Sequence, residues 1–222
     1  MKKKNKLKPV ITEDGSYTIF NEAVGEHYHS TFGALQESEH IFIRAGLEPL
    51  LNKQNTIHVL EMGFGTGLNA LLTFLHADKT RQKIYYHGLE AFPIDTDTAK
   101  TLNYHQFLHV DQELFLKFHG SEPRTKMSDN FLLEKEIGTL EKAVFPDDRF
   151  DIVYFDAFSP EVQPELWTQE IFRKIYRSMK RGSTLTTYSC KGIVKRAMKE
   201  AGFEIEKLPG PPGKREFLRV MK

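Results

Sequence analysis

The segment Glu61-Met62-Gly63-Phe64-Gly65-Thr66-Gly67 follows a short apolar run, "TIHVL", and leads directly into Leu68, Leu71, Leu72 and Leu75 at helical spacing. A strand that turns through alternate glycines into a helix opens a doubly wound α/β sheet, and ligands of such sheets sit beyond the carboxyl ends of the strands. A dinucleotide fingerprint, G-x-G-x-x-G, would need glycine at position 68, where the chain has Leu68. The pattern present instead begins with a carboxylate. That charge would repel a pyrophosphate and suits a cationic or amine-bearing ligand. S-adenosylmethionine, which carries an ammonium and a sulfonium, fits that description. A second carboxylate, Glu90, ends the next apolar strand, where it can accept the two ribose hydroxyls of an adenosine. The expected cofactor is therefore S-adenosylmethionine, held by Glu61, Gly63, Phe64, Gly65, Thr66, Gly67 and Glu90. A nicotinamide or flavin cofactor and an empty structural loop are the competing readings.

The rest of the chain alternates strand and helix. "VIT" and "YTIF" flank Asp14-Gly15 and predict a β-hairpin, and residues 33–51 read as a helix. Further strands are expected at "KIYYHGLEAF", "FLLEKEI", "FDIVYFDAF", "STLTTYS", "FEIEKL" and "REFLRVM". A helix is expected to open at Pro93, another to run from about Pro164 to Lys180 and close at Gly182, and a third to cover "CKGIVKRAMKEAG". Residues 104–130 read as a helix and a loop. Together these predict a Rossmann-like, doubly wound, mainly parallel seven-stranded sheet over residues 53–222, with a hairpin-and-helix extension over residues 1–52 packed on it.

Composition narrows the function. A chain of 222 residues, 40% of them hydrophobic, can bury a full core within one domain. No run of 18 apolar residues occurs and the start, "MKKKNKLKPV", lacks a secretory apolar stretch, so a cytoplasmic, monomeric protein away from membranes is expected. Cys190 is the sole cysteine, so no internal disulfide can form. The net charge of +1 conceals an asymmetry: residues 151–222 carry 14 Lys and Arg against 9 Asp and Glu, and residues 1–150 carry 17 against 21. A polyanion would meet the carboxy-terminal third, through Lys191, Lys195 and Lys199 on one helix face, Lys214, Arg215 and Arg219 near the last strands, and the Lys2-Lys3-Lys4 tail. All nine histidines lie at or before residue 119, and no metal site is expected from them.

Asp156-Ala157-Phe158-Ser159-Pro160 stands at the exit of the strongest strand. An aspartate followed by an aromatic and a proline resembles the D/N-P-P-Y loop of amino methyltransferases, in which this exit faces the transferred methyl. Methylating an amine requires positioning and loss of the amine proton, because an alkylammonium with a pKa of about 10 is mostly protonated at neutral pH. Asp156 is the candidate to attract, orient and deprotonate it.

"YHSTFGALQESEHIFIRAGL", "LEMGFGTGLNALL", "FDAFSPEVQPELWTQEIF" and "GKREFLRVM" together resemble the methyltransferase domain of the MnmC family in its stand-alone form, over residues 16–222. The resemblance implies methylation of the 5-aminomethyl group of the wobble uridine in the anticodon of certain tRNAs, giving 5-methylaminomethyl-(2-thio)uridine. A flavin-dependent oxidase half is not expected in this chain, so a separate oxidase would supply the aminomethyl group. Tyr28 and Glu37 match the family's front segment and Lys214 and Arg215 its terminal motif, so the resemblance implies that they meet the substrate or tRNA, and the alignment offers Glu136 for the adenine side of the cofactor. Phe158 is the candidate ring to stack on the uridine, and Lys191 is a candidate phosphate contact by its charge and helix face. Many relatives read D-G-F-A-P where this chain reads D-A-F-S-P. Trp167 reads as a packed anchor in preference to a stacking platform. The alternatives are N-methylation of a small-molecule or protein amine, and a non-catalytic RNA-binding domain of the same fold.

Overall fold

The computed structural model describes residues 7–222. The Lys2-Lys3-Lys4 tail lies outside the described residues. Asp14 closes the expected hairpin between β1 (Leu7–Ile11) and β2 (Tyr17–Asn21) by accepting hydrogen bonds from Thr12 Oγ1 at 2.8 Å and Ser16 N at 2.9 Å. Gly15 takes a positive φ beside it, as a tight turn requires. A two-residue strand, β3 (Glu26–His27), completes this small sheet.

The main sheet contains β4 (Thr56–Met62), β5 (Lys83–Glu90), β6 (Arg124–Lys126), β7 (Phe131–Ile137), β8 (Phe150–Phe155), β9 (Met179–Thr187), β10 (Glu204–Pro209) and β11 (Glu216–Met221). Their order is β10-β11-β9-β8-β4-β5-β7-β6, with the central strands β9, β8, β4, β5 and β7 parallel. Every residue of β8 is buried, as a strand covered on both faces should be. Helix α1 (Ala34–Ser38), which continues as a π-helical stretch Glu39–Leu47, and α2 (Leu68–Thr80) share a core with Val59, Tyr86 and Tyr154. The short α3 (Thr96–Ala99) and α4 (Tyr104–Phe107) lead into α5 (Gln112–Gly120), whose Phe115 and Phe118 join the same cluster. On the opposite face α6 (Gln169–Ser178) and α7 (Gly192–Ala201) cover Leu60, Met62, Val153 and Phe155.

The extension is therefore continuous with the core. A Cβ on Gly46 would stand 2.8 Å from the Ile152 side chain, so the helix lies close against the middle of the sheet. Four local expectations are corrected. The helix expected to reach Lys180 stops at Ser178, because Met179 is wholly buried opposite Phe150 and already belongs to β9. Gly182, expected to close that helix, lies inside β9 with φ 77°, near the register shift between Phe150 and Ile152. The sheet gains an eighth strand, β6, formed within "GSEPRTKMSDN" by antiparallel pairing to β7. The helix expected at Pro93 begins at Thr96, capped by Asp95 Oδ1, which accepts from Thr98 N at 2.8 Å.

Candidate active site

The exits of β4, β5, β7 and β8 open into a cleft of about 720 Å³, a size that suits a cofactor and part of a substrate. One end is lined by Gly63, Gly65, Glu90, Phe92, Gly138 and Leu140, the other by Tyr28, Glu37, Asp156, Phe158, Tyr188 and Lys214.

At the first end the chain folds back on itself. Gly63 N donates to Leu89 O at 3.0 Å, and Gly65 N donates to Glu90 Oε2 at 2.9 Å. The other oxygen of Glu90 accepts from Phe92 N at 2.8 Å. Each carboxylate oxygen keeps a further lone pair, so Glu90 can still accept ribose hydroxyls. Gly63 has φ 85°, and a Cβ there would come 2.5 Å from the Asp156 carbonyl oxygen; glycine is what lets the exits of β4 and β8 touch.

Several residues of the glycine loop do not line the cleft. Glu61 is wholly buried one position before the strand end, on the α2 face of the sheet. Its Oε1 accepts from Asn69 Nδ2 at 2.9 Å, and the same amide nitrogen donates to Asp156 Oδ2 at 2.9 Å. Burial drives the Glu61 pKa well above the usual range, against the pull of Tyr86 and Asn69. Glu61, expected to meet a cationic ligand, lines no part of the cleft here; Asn69 links it to Asp156, which does. Phe64 turns down onto Gly88, whose absent Cβ leaves room for the ring, and Thr66 Oγ1 is held by His29 Nε2 at 2.7 Å and the Tyr104 hydroxyl at 3.2 Å. Gly67 supplies the left-handed residue that starts α2. Glu136 pairs with His87 at 3.0 Å on the flank of β7 and lines no part of the cleft. Gly138 and Leu140, just beyond the strand, line the cleft, and a Cβ on Gly138 would stand 3.9 Å from Glu136 Oε1.

At the other end Asp156 is half-buried, and its pKa is pushed up to about 8. Burial is the largest cause and the charge of Glu37 adds to it, while the Asn69 hydrogen bond and Lys214 oppose both. Phe158 meets Tyr28 edge to face at 5.0 Å. Burial, with the charge of Glu90, lifts the Tyr28 pKa to about 12, which keeps its hydroxyl neutral. Trp167 is packed as expected, donating from its indole to Phe158 O at 2.9 Å. Both the backbone N–H and the hydroxyl of Ser159 donate to the Glu26 carboxylate, so the small sheet grips the Asp156 loop.

The expected cationic surface divides. Arg215 is exposed, and Lys191 is exposed and paired with Glu161. Lys214 points inward, with Nζ 3.1 Å from Glu37 Oε1. Arg219 is tied to Glu206 at 2.7 Å. Neither stands free for a phosphate in this arrangement. Residues that sequence reading missed are Asn69, Glu26 and Tyr188. His29 serves Thr66, and burial lowers its pKa to about 4. The ligand atoms of Glu39, Glu48 and His76 lie within 4.8 Å of one another, but none of the three lines the cleft. No helix among the described residues is long and apolar enough to cross a membrane.

A mainly parallel sheet with a glycine turn after its first core strand, a ribose-ready carboxylate after the next and a carboxyl at a third exit defines an adenosyl-cofactor transferase. Residues 103–222 match the family described as S-adenosyl-L-methionine-dependent methyltransferase, and the chain belongs to that family. The lining suits such a cofactor: Glu90 would accept ribose hydroxyls, Phe92 and Leu140 would offer apolar walls to the base, and Gly63 and Gly65 would allow close backbone approach. The chain is 34% identical over 214 residues to the tRNA 5-methylaminomethyl-2-thiouridine biosynthesis bifunctional protein MnmC of Paracidovorax citrulli, covering 91% of this chain and 34% of that protein. It is 26% identical to the protein of the same name from Leptospira interrogans, covering 94% and 34%. The chain thus spans about a third of the length of these relatives. Among solved structures, MNMC2 from Aquifex aeolicus superposes with a TM-score of 0.79 at 22% identity, covering 99% of this chain and 72% of that one. Spermidine synthase from Thermotoga maritima superposes at 0.54 with 14% identity, covering 97% and 71%. Both likenesses show the fold.

Proposed function

We propose that this methyltransferase acts on the primary amine of the 5-aminomethyl group of the wobble uridine in tRNA, in the cytoplasm, and yields 5-methylaminomethyl-(2-thio)uridine. The observation that carries the reading is the Asp156 carboxyl, which lines the cleft at the β8 exit together with Tyr28, Glu37, Phe158 and Lys214. S-adenosylmethionine, when bound, supplies an electrophilic methyl group on its sulfonium. In its ionised form Asp156 attracts the incoming ammonium, takes its proton and frees the nitrogen lone pair for the new N–C bond. An ordinary aspartate, near 3.9, would be too weak a base for this. A carboxyl raised toward the alkylammonium value of about 10 makes that proton transfer less unfavourable. Tyr28 and Phe158 close the apolar side of the acceptor and exclude water.

The names of the relatives support a tRNA substrate, and the basic carboxy-terminal third, with exposed Arg215 and Lys191, supports a polyanion approaching this side. A different active site supplies the aminomethyl group. The test is nucleoside analysis of tRNA bearing 5-aminomethyluridine, before and after incubation with protein and cofactor. Methylaminomethyluridine is expected. Cofactor binding without that product would remove tRNA as the acceptor, and methylation of a polyamine or a protein amine in its place would move the substrate.

A further inference from the structure

Lys214 stands in the turn between β10 and β11, where a lysine would ordinarily extend into water. Its side chain is instead drawn into the acceptor end of the cleft. Nζ lies 3.1 Å from Glu37 Oε1 and 4.9 Å from the centroid of the Tyr188 ring, within cation–π range. Both partners are fixed before any cation arrives. Glu37 Oε2 accepts from Ser30 N at 2.7 Å, which leaves Oε1 for the cleft, and the Tyr188 hydroxyl donates to Ala157 O at 2.9 Å. Glu37 is only 6% exposed, and a carboxylate so buried is costly without a counter-charge.

We propose that Glu37 and Tyr188 form a seat for a primary alkylammonium, and that Lys214 fills it with its own ε-ammonium until substrate displaces it. The end of a lysine side chain is a CH₂–NH₃⁺ group, chemically the same as an aminomethyl substituent. One cation exchanges for another, so Glu37 never stands unpaired. Lys214, 27% exposed, can leave by rotation of its side chain, and once released it becomes available to a phosphate of the arriving substrate. The seat stands on these contacts alone; its use by substrate rests on the amine-methylation reading.

The test uses the full chain and n-butylammonium chloride as probe, with n-butanol and sodium chloride as controls. Lys214→Met keeps the stem of the side chain and removes the ammonium. In thermal unfolding it should melt below the wild type and be restored by butylammonium, with an apparent affinity about tenfold or more above that of the wild type, because an intramolecular competitor has gone. Neither control should restore it. The double variant Glu37→Gln/Lys214→Met, in which both members of this ion pair are gone, should fold and lose the response to the probe that Lys214→Met shows. Equal response of wild type and Lys214→Met, or a response that survives Glu37→Gln, overturns the seat. If Lys214→Met does not fold at all, its recovery on refolding with butylammonium, and not with the controls, replaces the melting readout, and no recovery overturns the seat. No arm involves methyl transfer. Rescue without any tRNA methylation would leave the seat and remove only its proposed substrate; tRNA methylation without rescue would do the reverse.

Discussion

The two ends of the cleft are built from the chain in different ways. The cofactor end is nearly local: Gly63, Gly65, Glu90 and Phe92 come from two consecutive strand exits, held by Gly63 N to Leu89 O and Gly65 N to Glu90. The acceptor end is assembled from segments far apart in sequence. Tyr28 and Glu37 come from the extension, Asp156 and Phe158 from the β8 exit, Tyr188 from the β9 exit and Lys214 from the last turn. A general task, binding an adenosyl cofactor, needs only a short stretch of backbone and one carboxylate. The proposed task of the other end, choosing and deprotonating one amine, needs charges brought together from the whole chain.

Substitutions at the two ends should therefore separate binding from turnover. Asp156→Asn is expected to lower methyl transfer by about 10²–10⁴ while cofactor affinity changes little. It should also stabilise the fold. A carboxyl raised to about 8 contributes stability that is full below its unfolded value and lost as pH rises to about 8, so the wild type is penalised at neutral pH and the neutral amide is not. Melting temperature at pH 7 should rise by about 2–4 °C for each kcal/mol regained, and the gain should vanish at about pH 4. Equal melting of the two proteins at every pH would contradict the raised pKa.

Gly63→Ala sits where the two ends meet. Its Cβ would press on the Asp156 carbonyl at 2.5 Å from a left-handed backbone, so it should cost about 1–3 kcal/mol of stability and impair both cofactor binding and turnover. A variant that melts normally and binds cofactor would show that the β4 and β8 exits do not depend on this contact. Glu90→Gln against Glu61→Gln is a sharper comparison within the cofactor end. The first should weaken cofactor binding about tenfold or more, since charge-assisted hydrogen bonds are worth about 1.5–3 kcal/mol. The second, which lines no part of the cleft, should leave affinity nearly unchanged by calorimetric titration. Trp167→Phe loses the bond to Phe158 O and should cost about 1 kcal/mol in unfolding experiments, with cofactor affinity intact. Arg215→Ala should have the smallest effect, reducing the salt slope of tRNA binding by about 1 and touching neither end of the cleft.

The same division explains what could be read from sequence. The alternation of strands and helices, the glycine turn, Glu90 and the Asp156 exit were legible because each is encoded within a few residues. The role of Glu61 was not, since one position along a strand decides whether a carboxylate reaches a ligand or the underside of a helix. Glu136, also one position before its strand end, pairs with His87 for the same reason. The strand β6 was hidden because Arg124–Lys126 has no apolar pattern and exists through its pairing to β7. Lys214 looked like a phosphate contact because only the fold shows Glu37, 177 positions earlier, waiting beneath it.

The most direct test compares two tRNAs that differ only at the wobble uridine, one bearing a 5-aminomethyl group and one unmodified, each incubated with the protein and labelled S-adenosylmethionine. Label should enter only the aminomethyl tRNA, be recovered as methylaminomethyluridine, and be nearly lost with Asp156→Asn. Equal labelling of both tRNAs, or none in either while the cofactor is bound, would contradict an acceptor site built for an amine.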